Sequence, residues 1–164
     1  MKKSLLIFVA AMLLNVTSAM AQDKRVAVFE PAGSVEHSIK EIVLEEINSI
    51  IANVGGYIVA ERQMMNAVFE EQQLPLSGSE DDTLNSQLGK MMGTHYVLVT
   101  KISTIENNLH VAFRMLNVKT AEIEQQRIIR ISELSELISA IQKPITEVFS
   151  SSSKDSQQSD SVTE

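Results

Sequence analysis

The sequence predicts a mixed α/β (α+β) domain, and three observations carry that expectation. Apolar residues recur at helical spacing in two separate stretches, 39–54 and 134–148. Between His95 and Ile131 the apolar period drops to two, in three runs parted by short turns. Ahead of that change, short apolar runs alternate with helical ones, the pattern of strands joined by crossovers. The expected order is β-α-β-α-α-β-β-β-α, a mixed sheet whose C-terminal part is a three-stranded antiparallel meander.

The first element, Arg25 to Phe29, is a short apolar strand closed by Pro31 and Gly33. Ser34 and Ser38 are both plausible helix N-caps, the latter with Glu41 three residues on. Ile39, Ile42, Val43, Ile47, Ile50, Ile51 and Val54 then form one apolar stripe of about five turns, stopped by Gly55-Gly56. Tyr57 to Ala60 is long enough only for a strand. Arg62 to Glu71 reads as a helix with Met65, Val68 and Phe69 inward, and 72–79, with Pro75 and Gly78, as a loop. Asp81 or Asp82 caps a short helix with Leu84, Leu88, Met91 and Met92 inward, closed by Gly93.

The meander follows as His95–Glu106, Leu109–Lys119 and Glu122–Ile131, with turns at Asn107-Asn108 and Thr120-Ala121. In its middle strand Leu109, Val111, Phe113 and Met115 share a core face, while His110 and Arg114 share a wet one. Leu134, Leu137, Ile138, Ile141, Ile145 and Val148 make a last amphipathic helix, with a kink expected at Pro144.

Three segments are expected along the chain. Met1-Lys2-Lys3, an apolar run from Leu5 to Val16 and Ala19-Met20-Ala21 make residues 1–21 a cleavable secretion signal, which implies a periplasmic location. Residues 22–149 form the folded domain. The stretch 150–164, with seven serines and almost nothing apolar, is expected to be disordered. The run of about a dozen apolar residues is short for a permanent span, so no transmembrane segment is expected in the mature chain.

Composition excludes several chemistries. With no cysteine there are no disulfides, thiolate metal sites or Cys nucleophile. The net charge of −7 includes Lys2 and Lys3, so the mature chain carries about −9, a poor field for nucleic acid or anionic lipid. His37, His95 and His110 show no metal-ligand spacing, and no nucleophile elbow, P-loop or dinucleotide fingerprint occurs. Glu45-Glu46 and Glu70-Glu71 are helix neighbours about 100° apart, which suits a solvated face and not a shared acid–base site. No catalytic residue, cofactor or metal is expected, and a periplasmic hydrolase is the disfavoured alternative.

The segment that invites a functional question starts at Ala60-Glu61-Arg62. Arg62 can pair with an acidic neighbour to fix the strand-to-helix turn. The loop's Leu74 and Leu76, if exposed, can instead be a contact surface. Arg62, Leu74, Leu76, His110 and Arg114 are therefore the partner-binding candidates.

Four pieces together resemble the CsgG-type family of envelope proteins, and within it the LpoB-like activators of penicillin-binding proteins. They are Arg25–Phe29, Val59–Arg62, Phe69–Gly78 and Leu88–Val99, and the likeness runs to about residue 130. The resemblance implies an anticodon-binding-domain-like fold without catalysis. It further implies an envelope protein as partner, a peptidoglycan synthase or an outer-membrane assembly. A subunit of a curli-type secretion apparatus is the alternative. Two departures bear on the transfer. There is no lipobox cysteine, and the meander turns are too short to hold transmembrane hairpins.

Overall fold

The computed structural model describes residues 23–155. The leader lies outside them, as does the end of the tail. The strands are β1 (Lys24–Val28), β2 (Ala32–Gly33), β3 (Tyr57–Val59), β4 (Tyr96–Ile105), β5 (Asn108–Asn117) and β6 (Glu122–Ile131). The helices are α1 (His37–Val54), α2 (Arg62–Glu71), α3 (Asp82–Met91) and α4 (Leu137–Asp155), the last entered through a 3₁₀ turn at Leu134–Glu136.

One sheet of order β3-β1-β4-β5-β6 organises the domain. β1 pairs in parallel with β3 and β4, whereas β4-β5-β6 is the expected antiparallel meander. The mixed α+β class and the meander thus hold. β2 is an addition to the expected order. Pro31 interrupts the edge that β1 presents to β4, and the chain rejoins β4 at Lys101 and Ile102. That rejoining requires glycine at 33: its φ is +127°, and a Cβ there would lie 1.8 Å from the Ile102 carbonyl oxygen.

Two cores form on the two faces of the sheet. α1 and α4 cover one face, burying Ile47, Ile51, Ile141 and Ile145 against Leu98, Phe113 and Met115. α2 and α3 cover part of the other, where Phe69 stands edge-on to Phe29 at 4.8 Å among Leu88, Met92, Val97 and Leu116. Alternation explains both cores: Val97 and Val99 point one way, Tyr96 and Leu98 the other.

Several details differ from expectation. α1 starts at His37, with Glu36 as N-cap, because the Ile39 and Lys40 amides bond to the Glu36 carbonyl. Ser38 therefore sits in the first turn, and neither it nor Ser34 is the cap. Ile42 is 53% exposed and Leu44 is buried in its place. The stripe is wider than the face it covers. Likewise Met91 is 48% exposed while its neighbour Met92 is buried, and Leu134 stays outside because its 3₁₀ turn precedes the packed helix. The first meander turn is Glu106-Asn107, one residue earlier than expected. Ile105 pairs with Asn108, and both turn residues take positive φ, the two-residue geometry that matches strand twist. The second turn spans 118–121, since Asn117 pairs with Glu122. Pro144 lies buried within a continuous α4, and that helix runs on to Asp155, into the stretch expected to be disordered.

Candidate functional site

The middle strand's outer face is not uniformly wet. At one end Leu116 is buried under α2 and α3. Toward the other end the helices stop and the sheet lies open. Register places Lys101, Ala112 and Ile128 in one row across three strands, and Ser103, His110 and Arg130 in the next. Ile128 is 62% exposed, and Ile105 and Ile123 are also exposed. Ile128 and Ile105 lie on the open part of the face and have no core role there, whereas Ile123 pairs with Leu116 at the covered end.

The loop after α2 and the start of α3 form the rim of this face. Glu80 carries the Lys101 ammonium at 2.8 Å, and Arg114 donates from Nη1 to Asp82 Oδ2 at 3.1 Å. Lys101 holds the Glu80 carboxyl below its usual range. Asp81 caps α3 by accepting the Thr83 amide at 2.8 Å, as the sequence suggested. Asn85, fully buried, clamps the loop. Its Oδ1 accepts the Ser79 amide and its Nδ2 donates to the Ser79 carbonyl, both at 2.8 Å. A polar side chain facing inward in α3 breaks the apolar pattern, which is why the sequence reading passed over it.

The five candidates fall in two places, Arg62, Leu74 and Leu76 around the end of β1 and the loop after α2, and His110 and Arg114 on β5. Arg62 pairs with Glu30 at the end of β1, which is the structural role considered for it. The Glu30 amide in turn donates to the Leu76 carbonyl at 3.0 Å. Leu74 and Leu76 are partly buried against the Phe29–Phe69 core, so the expectation of a freely exposed apolar loop is corrected. Their apolarity serves packing. His110 and Arg114 stand on the sheet face, half-buried, with Arg114 neutralised by Asp82. The sequence missed Ile128, Ile105 and Arg130. Among the described residues Arg130 has no ion pair.

No group of three or more His, Asp or Glu side chains is set to hold a metal among the described residues. His37 lies beside Glu41 on α1, and the ring of His95 accepts the Arg25 amide through Nδ1 at 2.9 Å. Tyr96 is the most perturbed titrating group. Burial, and then the charge and hydrogen bond of Glu124, push its hydroxyl up to about 12.

The sheet thus carries two helices on one face and two on part of the other, and the remainder of that second face is open. Solved structures share this fold. The LpoB C-terminal domain from Escherichia coli is 17% identical with a TM-score of 0.55, over 76% of this chain and 93% of that one. The Salmonella enterica LpoB domain is 18% identical at 0.54, over the same shares. Lipoprotein GNA1162 from Neisseria meningitidis is 15% identical at 0.55, over 74% of this chain and 96% of that one. The family model for the curli production assembly/transport component CsgG matches residues 47–112. No curated protein matches the chain by sequence. The chain is thus similar to CsgG over residues 47–112 and shares its fold with the LpoB C-terminal domains, the likeness that the four sequence pieces indicated.

Proposed function

We propose that the protein is a non-catalytic accessory module of the cell envelope that docks a partner protein on the open half of its sheet. The observation that carries this reading is Ile128, 62% exposed beside Ala112 and Lys101, with the row Ser103–His110–Arg130 between it and the exposed Ile105, in a chain of net charge −7. Exposed apolar side chains interleaved with polar and cationic ones suit a non-obligate protein interface. The partner surface it fits is apolar with carboxylates at its edge. A peptidoglycan synthase is the partner the LpoB-like resemblance points to. The meander turns, two and four residues long, give the secretion-pore reading no hairpin to insert.

A photo-crosslinking amino acid placed at Ile128 in cells tests this, with one at Ile58 on the opposite sheet edge as control. A peptidoglycan synthase captured from position 128, and lost when Arg130→Glu is added, supports the proposal. Equal capture from both positions, or capture of no envelope protein, defeats it.

A further inference from the structure

β6 closes the sheet on one side. It pairs with β5 along its length and, among the described residues, with no other strand. A ten-residue edge strand offers a long row of unpaired N–H and C=O groups, whereas the opposite edge, β3, is three residues long. Proteins guard such edges with proline, lysine or an inward-pointing charge. β6 contains no proline and no lysine, and no glycine to bend it. Its half-buried cation, Arg127, is drawn to Glu147 of α4, Nε to Oε2 at 3.4 Å. A bulge disturbs only the start: Met115 pairs with Gln125 and Leu116 with Ile123, so Glu124 is the extra residue. From Gln125 to Ile131 the strand is regular, with Gln126, Ile128 and Arg130 exposed and the residues between them more covered.

That regular stretch is complementary to itself. Two copies related by a two-fold axis pair antiparallel, and residues opposite each other share a face, so the axis passes through a residue. An axis at Gln126 would carry the pairing across the bulge. It would set Ile123, which pairs with Leu116 on one face, against Ile129, which packs on the other. An axis at Arg127 would place two guanidinium groups directly opposite. An axis at Ile129 pairs only 127–131 and sets Ile128 against Arg130. An axis at Ile128 pairs all of 125–131: Ile128 with itself, Gln126 with Arg130, Arg127 with Ile129 and Gln125 with Ile131. No like charges then face each other. The two Arg130 residues stand about 13 Å apart along the strands, beyond the Debye length of about 8 Å at physiological salt. Ile128, the most exposed large apolar side chain among the described residues at 62%, lies on the axis.

We propose that the edge of β6 binds a second copy of this chain, β6 to β6 antiparallel about Ile128, so that one sheet runs through both copies. Beside the edge, Arg127, Glu147 and Lys143 are of mixed sign and raise no single-sign barrier. An edge-to-edge contact of this length belongs to the small, transient interfaces, so the dimer forms and dissociates with concentration. The two open faces then lie side by side. The pairing uses backbone groups of this chain alone and does not rest on the docking of another protein.

Single cysteines report the register, since the chain has none of its own. Opposite Cα atoms of an antiparallel pair are about 4.5–5.5 Å apart, within disulfide reach, whereas the two copies of residue 126 would be about 13 Å apart. Mild oxidation of the purified protein should therefore link Ile128→Cys into a dimer and leave Gln126→Cys unlinked. The Gln126→Cys, Arg130→Cys double variant should link. Sedimentation velocity should show the wild type passing from monomer to dimer as concentration rises. Ile128→Lys sets two ammonium groups on the axis and should weaken association roughly tenfold or more, as should Ile128→Glu. An equimolar mixture of those two variants should recover it. Both changes fall on an exposed side chain, so the variants should fold. A wild type that stays monomeric, Gln126→Cys linking as fast as Ile128→Cys, or a dimer that persists in Ile128→Lys overturns the proposal.

Discussion

Replacing Asn85 tests how the rim of the open sheet face is held. Its amide makes two hydrogen bonds of 2.8 Å, to the N–H and to the C=O of Ser79. The bracket holds Gly78 so tightly that a Cβ there would lie 2.6 Å from both Asn85 Oδ1 and a Phe29 ring carbon. Each hydrogen bond contributes about 1 kcal/mol net, and backbone groups left facing a methyl add a desolvation cost. Ser79 is only part-buried, so water recovers some of that cost. Asn85→Ala should therefore lower the unfolding free energy by about 2–3 kcal/mol. Asn85→Asp separates bonding from volume. Its carboxylate can still accept the Ser79 N–H, but it places a buried charge against the Ser79 carbonyl oxygen. At neutral pH it should cost more than Ala. In acid the protonated carboxyl can donate to that carbonyl, and the deficit relative to wild type should shrink. Urea unfolding at several pH values measures both, with a changed midpoint at constant slope. An Ala variant within about 0.5 kcal/mol of wild type, or an Asp deficit that does not shrink in acid, would refute the bracket.

Two further outcomes follow from the backbone and from titration. Gly33→Ala should cost about 2 kcal/mol or more, since φ +127° strains any side chain and the Cβ meets the Ile102 carbonyl. Hydrogen exchange should show the loss concentrated at β2 and its β4 partners; a variant with wild-type protection there would count against the close approach. The raised Tyr96 hydroxyl binds its proton more tightly in the folded chain than in the unfolded one, where the ordinary value is 10.0. Its contribution is therefore complete below about pH 10 and is lost as pH rises toward about 12. Wild type should lose stability faster than Tyr96→Phe across that window, and parallel curves for the two would disprove the linkage.

Local pattern was enough to determine much of this protein. Alternation from His95 to Ile131 could only be a meander, because a helix would scatter Leu109, Val111, Phe113 and Met115 around its axis. The helical stripes at 39–54 and 134–148 and the Asp81 cap were legible for the same reason: each is decided by neighbours a few residues away, whereas the partner of Arg62, Glu30, lies 32 residues off and only the fold supplies it. Local rules do not say how far a helix covers a sheet. That is why Ile42 and Met91, apolar and correctly spaced, remain outside, while polar Asn85 lies inside. Nor do they say which strand pairs where. β2 exists because β4 offers Lys101 and Ile102 an edge 68 residues or more away, a contact no window of sequence contains. Leu74 and Leu76 are partly buried and not freely exposed because Phe29 and Phe69 meet beneath them. The open face is a product of the same tertiary step, since it depends on where α3 lies across the sheet. The sequence determined the elements and their inner faces; only the packing of α3 decided which surfaces were left to bind.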